Sequence, residues 1–308
     1  MFEPLETFRE GADLTHSRSS SAGVLSGNGL RAWRHSSTGV RLVRFHAPGP
    51  LVSLSIFIAT EAVSDAGHPH TLEHIVFLRS RARPKRGFLD TLACRVLGEG
   101  TNAYTANEYT CYTATTAGVE GFVSLLPCYV DHVFRRTRNA DAAAFASEIY
   151  HARADGRKAG VVMGGMAARE HSEADILDRE VWRALLGGTP LAYEAGGMCG
   201  AIRGLSAAEI DAYHKRFYCG ENVTIVVGGS AAIDDDVFLD ALGPLLEGYA
   251  KDEEFKRGSS AWASVLDLKP LVGVERRTAG FPRADASMGS VTPGWRACGK
   301  VEGYRLLA

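Results

Sequence analysis

Gly67-His68-Pro69-His70-Thr71-Leu72-Glu73-His74-Ile75-Val76-Phe77-Leu78 begins with glycine and proline, residues that start helices, and then places Leu72, Ile75 and Val76 at helical spacing. The spacing predicts a helix over 68–78. Residues i and i+4 share a helix face, so His70 and His74 bring two imidazoles to one point, with Glu73 beside them. Two histidines arranged this way can hold Zn²⁺, which lowers the pKa of a bound water, while the carboxylate takes its proton. The pentapeptide alone also fits an ordinary surface helix with two histidines and a solvated glutamate.

Working outward, Val40, Leu42, Val43 and Phe45 read as one strand. Pro48-Gly49-Pro50 turns the chain, and Leu51–Ala59 alternates as a second strand, a hairpin-like pair ahead of the helix. Phe88–Leu97 reads as a helix, and Thr101–Ala117 as a strand pair around Asn107-Glu108. Val119–Val133 and Ala140–Tyr150 are helical, and Gly160–Arg179 is a small-residue segment continuing into a helix. Ser206–Tyr218 is amphipathic behind a Ser206-x-x-Glu209 capping box, and Asn222–Gly228 is an apolar strand.

Composition limits the function classes. The chain has 308 residues, with 34 basic against 36 acidic side chains and a net charge of −2, so no basic footprint for nucleic acid or acidic membrane is expected. The longest mostly apolar run, near Leu51 to Ala59, is strand-sized, too short for a spanning helix. Cys94, Cys111, Cys128, Cys199, Cys219 and Cys298 show no CxxC spacing and fit reduced thiols. Glu3, Glu6 and Glu10 at the N-terminus fit neither a secretory signal nor an acid-poor transit peptide, so a cytoplasmic location is expected, with mitochondrial as the alternative. The expected organisation is a polar arm over 1–27, a main domain over 28–250, a charged linker over 251–265, and the start of an incomplete second domain over 266–308.

The words around the helix resemble the pitrilysin/insulysin family of inverzincin metallopeptidases, most closely its presequence-protease-like branch. They are Thr60-Glu61-Ala62, the Gly67–His74 word, Gly100-Thr101-Asn102-Ala103-Tyr104-Thr105 with Thr110 and Tyr112, and Glu148-Ile149-Tyr150-His151. Further on come Gly160-Val161-Val162 with Met166, Tyr193 with Gly196-Gly197, and Tyr213-His214 with Phe217-Tyr218. The resemblance implies an α+β fold with helices packed on a mainly antiparallel sheet, and a zinc metalloendopeptidase of peptides or short unfolded segments. It implies His70 and His74 as zinc ligands and Glu73 as general base. It makes Glu148 a carboxylate orienting a ligand histidine, and puts Asn102 and Ala103 on a strand that pairs with an extended peptide; an ordinary hairpin turn is the other reading of that segment.

The chain departs from the family at the third ligand. Where members carry Gly-Val-Val-x-x-Glu-Met, it reads Gly160-Val161-Val162-Met163-Gly164-Gly165-Met166, with Gly165 in the ligand position. A catalytic zinc normally takes three protein ligands plus water, so zinc should be weakly held or absent unless another carboxylate substitutes. Glu148 is the candidate substitute; Glu170 and Glu173, five and eight residues after Gly165, should be aimed elsewhere. Arg79 replaces a glycine in Phe77-Leu78-Arg79-Ser80; the resemblance implies that Phe281-Pro282 and Gly294-Trp295 open the family's second domain, expected only in part, and that a second half bringing an Arg and a Tyr would complete the site. A second chain is the candidate supplier of that wall. The alternative function is therefore a catalytically silent, truncated relative acting as a peptide-binding or non-functional half-site. His132, His151, His171 and His214 are read as structural, and the basic run Arg79–Arg86 as a solvated loop.

Overall fold

The computed structural model describes residues 1–5, 30–135, 142–230, 233–251, 255, 261–262, 276–281 and 290–294. The elements are β1 Phe2–Pro4, β2 Arg31–His35, β3 Arg41–His46, β4 Leu51–Ala59, α1 His68–Val76, α2 Phe88–Arg95, β5 Asn102–Thr105, β6 Tyr109–Ala117, α3 Val119–Phe134, α4 Ala142–Glu148, β7 His151–Ala152, β8 Lys158–Ala159, α5 Val161–Arg169, α6 Glu173–Leu186, α7 Cys199–Ile202, α8 Ala207–Phe217, β9 Val223–Gly229 and α9 Asp235–Ala250. The seven-stranded sheet runs β1-β2-β3-β9-β4-β6-β5, and β7-β8 form a separate ribbon. Among the described residues only the β3–β9 pairing is parallel, so the sheet is mainly antiparallel, as expected.

Alternation along β4 explains its burial. Val52, Leu54, Ile56 and Ile58 are buried, while Ser53, Ser55 and Phe57 between them face the other side. Across the sheet, Leu42, Ile225, Ile56, Tyr112 and Ala103 lie in one register row and supply the floor of the core. Leu72, Ile75 and Val76 of α1 belong to the same cluster, as do Leu126, Tyr129 and Val133 of α3, Ile210, Tyr213 and Phe217 of α8, and Phe238, Leu242 and Leu246 of α9. Helices therefore cover this one face of the sheet. The buried Tyr112 and Tyr218 hydroxyls satisfy each other at 2.6 Å.

Three expectations are corrected. β3 and β4 are not a hairpin: β9 lies between them, parallel to β3 and antiparallel to β4. Its Val223, Ile225 and Val227 are buried, and its run of apolar residues is what a central strand requires. The segment 160–179 is two helices, because Ser172 caps a new start by accepting from the Asp175 N–H. Residues 2–4, expected within a polar arm, form an edge strand, and Phe2 packs edge-to-face on His35. The Ser206–Glu209 capping box is present with both of its hydrogen bonds. Within 251–265, expected as linker, Phe255 is buried against Phe134 and Tyr249, and the Trp262 indole donates to the Glu108 carbonyl at 2.9 Å. Residues 6–29, most of 266–308, Pro282 and Trp295 lie outside the described residues. Cys94, Cys111, Cys128, Cys199 and Cys219 are free, and among the described residues no helix is long and apolar enough to cross a membrane.

Candidate active site

Helix α1 starts where two backbones cross. Gly67, its N-cap, has φ +73°, and a Cβ there would lie 2.5 Å from the Gly196 carbonyl oxygen and 2.7 Å from Gly197 Cα. Glycine is thus needed for the left-handed backbone and also for the close approach. The loop carrying Gly196 is pinned to the same corner: the Glu194 N–H donates to Asp65 Oδ1 at 2.8 Å, and the Met198 N–H to the Asp65 carbonyl at 2.7 Å. Arg183 reaches the other Asp65 oxygen at 3.1 Å.

That crossing delivers the Gly196 carbonyl to His70 Nδ1, at 3.1 Å. A carbonyl can only accept, so Nδ1 carries the proton, and the neutral ring turns a lone pair outward at Nε2. His74 Nδ1 meets Glu148 Oε1 at 2.9 Å from the end of α4, and its Nε2 also turns toward the cleft. The two Nε2 atoms stand 3.2 Å apart with the rings at 76°. Two nitrogens bound tetrahedrally to one zinc lie about 3.3–3.4 Å apart, given Zn–N of ~2.0–2.1 Å. Burial first, with Arg169 and His74 adding repulsion, lowers the His70 pKa to about 4 against the support of the Gly196 carbonyl, so His70 is neutral at physiological pH.

Glu73 is buried beside this pair, and the Thr105 hydroxyl of β5 donates to its Oε2. Burial raises its pKa; the Thr105 hydrogen bond and His74 pull it back in part. Thr105 and Ala103 alternate on the helix side of β5, while Asn102 and Tyr104 point the other way and are exposed. β5 is the last strand in the sheet order, so its outer edge is open among the described residues. Asn102 Oδ1 accepts from the Ala103 N–H at 3.0 Å, and the Tyr129 hydroxyl donates to the Asn102 carbonyl at 3.2 Å.

The structure thus brings His70, Glu73, His74 and Glu148 together and leaves Gly165 without a side chain on α5. A Cβ on Gly165 would meet nothing within 4 Å. Glu148 spends Oε1 on His74 and holds Arg86 at 3.5 Å through Oε2, the arrangement of an orienting carboxylate. Glu170 accepts from the Cys199 N–H instead of facing the histidines. The donor set therefore fits a divalent metal at two positions and lacks a third protein donor; among the described residues, no group of three or more His, Cys, Asp or Glu is placed to hold an ion. His132, His151 and His214 each bond a backbone carbonyl, at 2.7, 3.1 and 3.0 Å.

Sequence reading assigned no role to three residues here. Thr105 lay inside a quoted word, but its hydroxyl's target was not readable. The Gly196 main chain acts through its carbonyl, which leaves no mark in residue type. Arg86 sat in the run read as solvated and is an ion-pair partner of Glu148.

No protein-family model matches the chain. It is 34% identical over 280 residues to an uncharacterised protein of Caenorhabditis elegans, covering 89% of this chain and 27% of that one. It is 26% identical over 226 residues to a mitochondrial presequence protease of Schizosaccharomyces pombe, covering 71% and 23%. It is 29% identical over 180 residues to an uncharacterised zinc protease of Mycobacterium bovis, covering 58% and 37%. The chain thus spans about a quarter of the length of the first two. Among solved structures, a protease from Helicobacter pylori matches with TM-score 0.57 at 18% identity, over 68% of this chain and 48% of the other. A peptidase M16 inactive domain from Pseudomonas fluorescens matches with TM-score 0.58 at 14% identity, over 81% and 54%. The chain is a distant homologue of a presequence protease, and its fold is that of M16-like peptidase domains.

Proposed function

We propose that this chain is a metallopeptidase domain of the presequence-protease-like branch, which takes an extended peptide along the open edge of β5 and hydrolyses it at α1. The observation that carries this reading is the facing pair of Nε2 atoms 3.2 Å apart, each ring fixed from behind, with buried Glu73 on the same helix. His70 and His74 would hold zinc, whose chemistry when bound is to polarise a carbonyl and acidify water. Glu73, its pKa raised by burial, accepts a proton more readily than an exposed carboxylate, and the Thr105 hydroxyl donates to its Oε2. The main chain of β5 gives the peptide its register with little dependence on side chains. Glu148 and the Gly196 carbonyl keep both imidazoles aimed at one point.

A second reading is favoured by Gly165 and by the absence of a third donor among the described residues. In it the chain binds peptides without turnover. A cytoplasmic location belongs to both readings, with mitochondrial as the alternative. Zinc content and cleavage of a quenched fluorescent peptide separate them. Stoichiometric zinc with cleavage that disappears in Glu73→Gln supports the hydrolase; metal-free protein that binds the peptide intact supports the silent binder.

A further inference from the structure

The face of the sheet away from the helices carries a hollow that the site at α1 does not use. Arg41 of β3, Thr224 of β9 and Phe57 of β4 stand side by side across the strands, one position along from the row that floors the core. Alternation turns their side chains to the opposite face. Tyr109 of β6 pairs with Ala59, two positions further along β4. With Glu108 of the β5–β6 turn and Trp262, these residues line a volume of ≈260 Å³.

Trp262 is held in place from three directions. Its φ of +69° is a left-handed conformation that a bulky residue keeps only where its surroundings impose it. Its N–H donates to the buried Glu61 carboxylate, and its indole N–H to the Glu108 carbonyl at 2.9 Å. The Ala261 N–H just ahead of it donates to the side chain of buried Asn222 at 3.2 Å. The indole thereby becomes a third aromatic wall beside Phe57 and Tyr109, whose rings meet edge-to-face at 5.4 Å.

Two opposite charges line the same hollow without neutralising each other. Arg41 Nε donates to the Thr224 hydroxyl at 3.0 Å; among the described residues neither its terminal nitrogens nor the Glu108 carboxylate has a partner. A cation and an anion held apart beside aromatic walls match a zwitterion with a large flat side chain. The volume sets the size: it falls just below the ~300–1,000 Å³ of ordinary ligand pockets, room for one amino acid and not for a peptide. We propose that this hollow binds a free aromatic α-amino acid, with its carboxylate on Arg41, its ammonium on Glu108, and its ring against Phe57, Tyr109 and Trp262. The site needs no metal and nothing from α1, so it stands or falls separately from the peptidase reading.

The test is calorimetric titration of the whole chain with L-phenylalanine, with phenethylamine, which lacks the carboxylate, and with phenylpropionate, which lacks the ammonium. L-Phenylalanine should bind saturably, and each analogue about tenfold or more weakly, the scale of one lost charge-assisted hydrogen bond. Arg41→Gln should weaken L-phenylalanine about tenfold and leave phenethylamine unchanged. Glu108→Gln should weaken L-phenylalanine alike and leave phenylpropionate unchanged. A misfolded variant would lose all three ligands together, and the wild-type series decides the role of both charges without any variant. No binding of L-phenylalanine at millimolar concentration, equal affinity for the three ligands, or affinities untouched by both substitutions would overturn the proposal.

Discussion

Replacing Gly67 by alanine should damage the site from outside it, and Gly87 supplies a matched control. Both are helix N-caps in the left-handed region, with φ +73° and +72°. A Cβ at Gly87 meets nothing within 4 Å, whereas one at Gly67 lies 2.5 Å from the Gly196 carbonyl oxygen. The shared conformational cost is ~1–2 kcal/mol, offset by about 0.4–1 kcal/mol from the stiffer unfolded chain. Gly87→Ala should therefore lose roughly 0–1.6 kcal/mol. Gly67→Ala must also push a backbone away by nearly an ångström, an overpacking cost of about 1–3 kcal/mol. At about 2–4 °C per kcal/mol for a domain of this size, its melting temperature should fall roughly 2–12 °C further than that of Gly87→Ala. The displaced carbonyl releases His70 Nδ1, so zinc affinity should fall in Gly67→Ala and stay unchanged in Gly87→Ala. Thermal melts and zinc titrations of both variants are the assay. Equal melting temperatures, or a Gly67→Ala protein with undiminished zinc affinity, would refute the view that this crossing holds the histidine.

Glu148→Gln keeps the shape but weakens the support of His74, and zinc affinity measured by competition should drop about 10- to 100-fold. For the metal-free protein, His70 has a folded pKa of about 4 against an ordinary 6.5, so the unfolded chain binds the proton first as pH falls. Its contribution to stability is complete above pH 6.5 and is lost on acidification toward pH 4; His70→Asn should flatten that part of a stability-against-pH curve, and an unchanged slope would contradict it. Tyr218→Phe leaves the fully buried Tyr112 hydroxyl without its partner and should cost about 1–3 kcal/mol in denaturant melts.

Local features were legible in the sequence because local physics makes them. The alternation of β4, the start of α1 at Gly67 and Pro69, and the capping box at Ser206 each rest on residues within a few positions of one another. The placement of β9 was not legible, since Val223–Gly229 reads as an apolar strand whichever neighbours it takes. The paired imidazoles follow from i,i+4 spacing, whereas Gly165 is singled out only by the resemblance. What fixes those imidazoles came only with the fold, because it depends on a carbonyl 126 residues away and a carboxylate 74 residues away.

The central position of β9 also governs how the protein is made. As the chain leaves the ribosome, β3 and β4 emerge early, yet the strand that joins them follows more than 160 residues behind β4. Until it arrives, two apolar strand edges wait unpaired in the nascent chain, exposed to aggregation and to chaperones. Closure over so long a loop makes this a slow-folding topology. Any proteolytic nick between β4 and β9 that frees the later fragment would open the sheet at its middle.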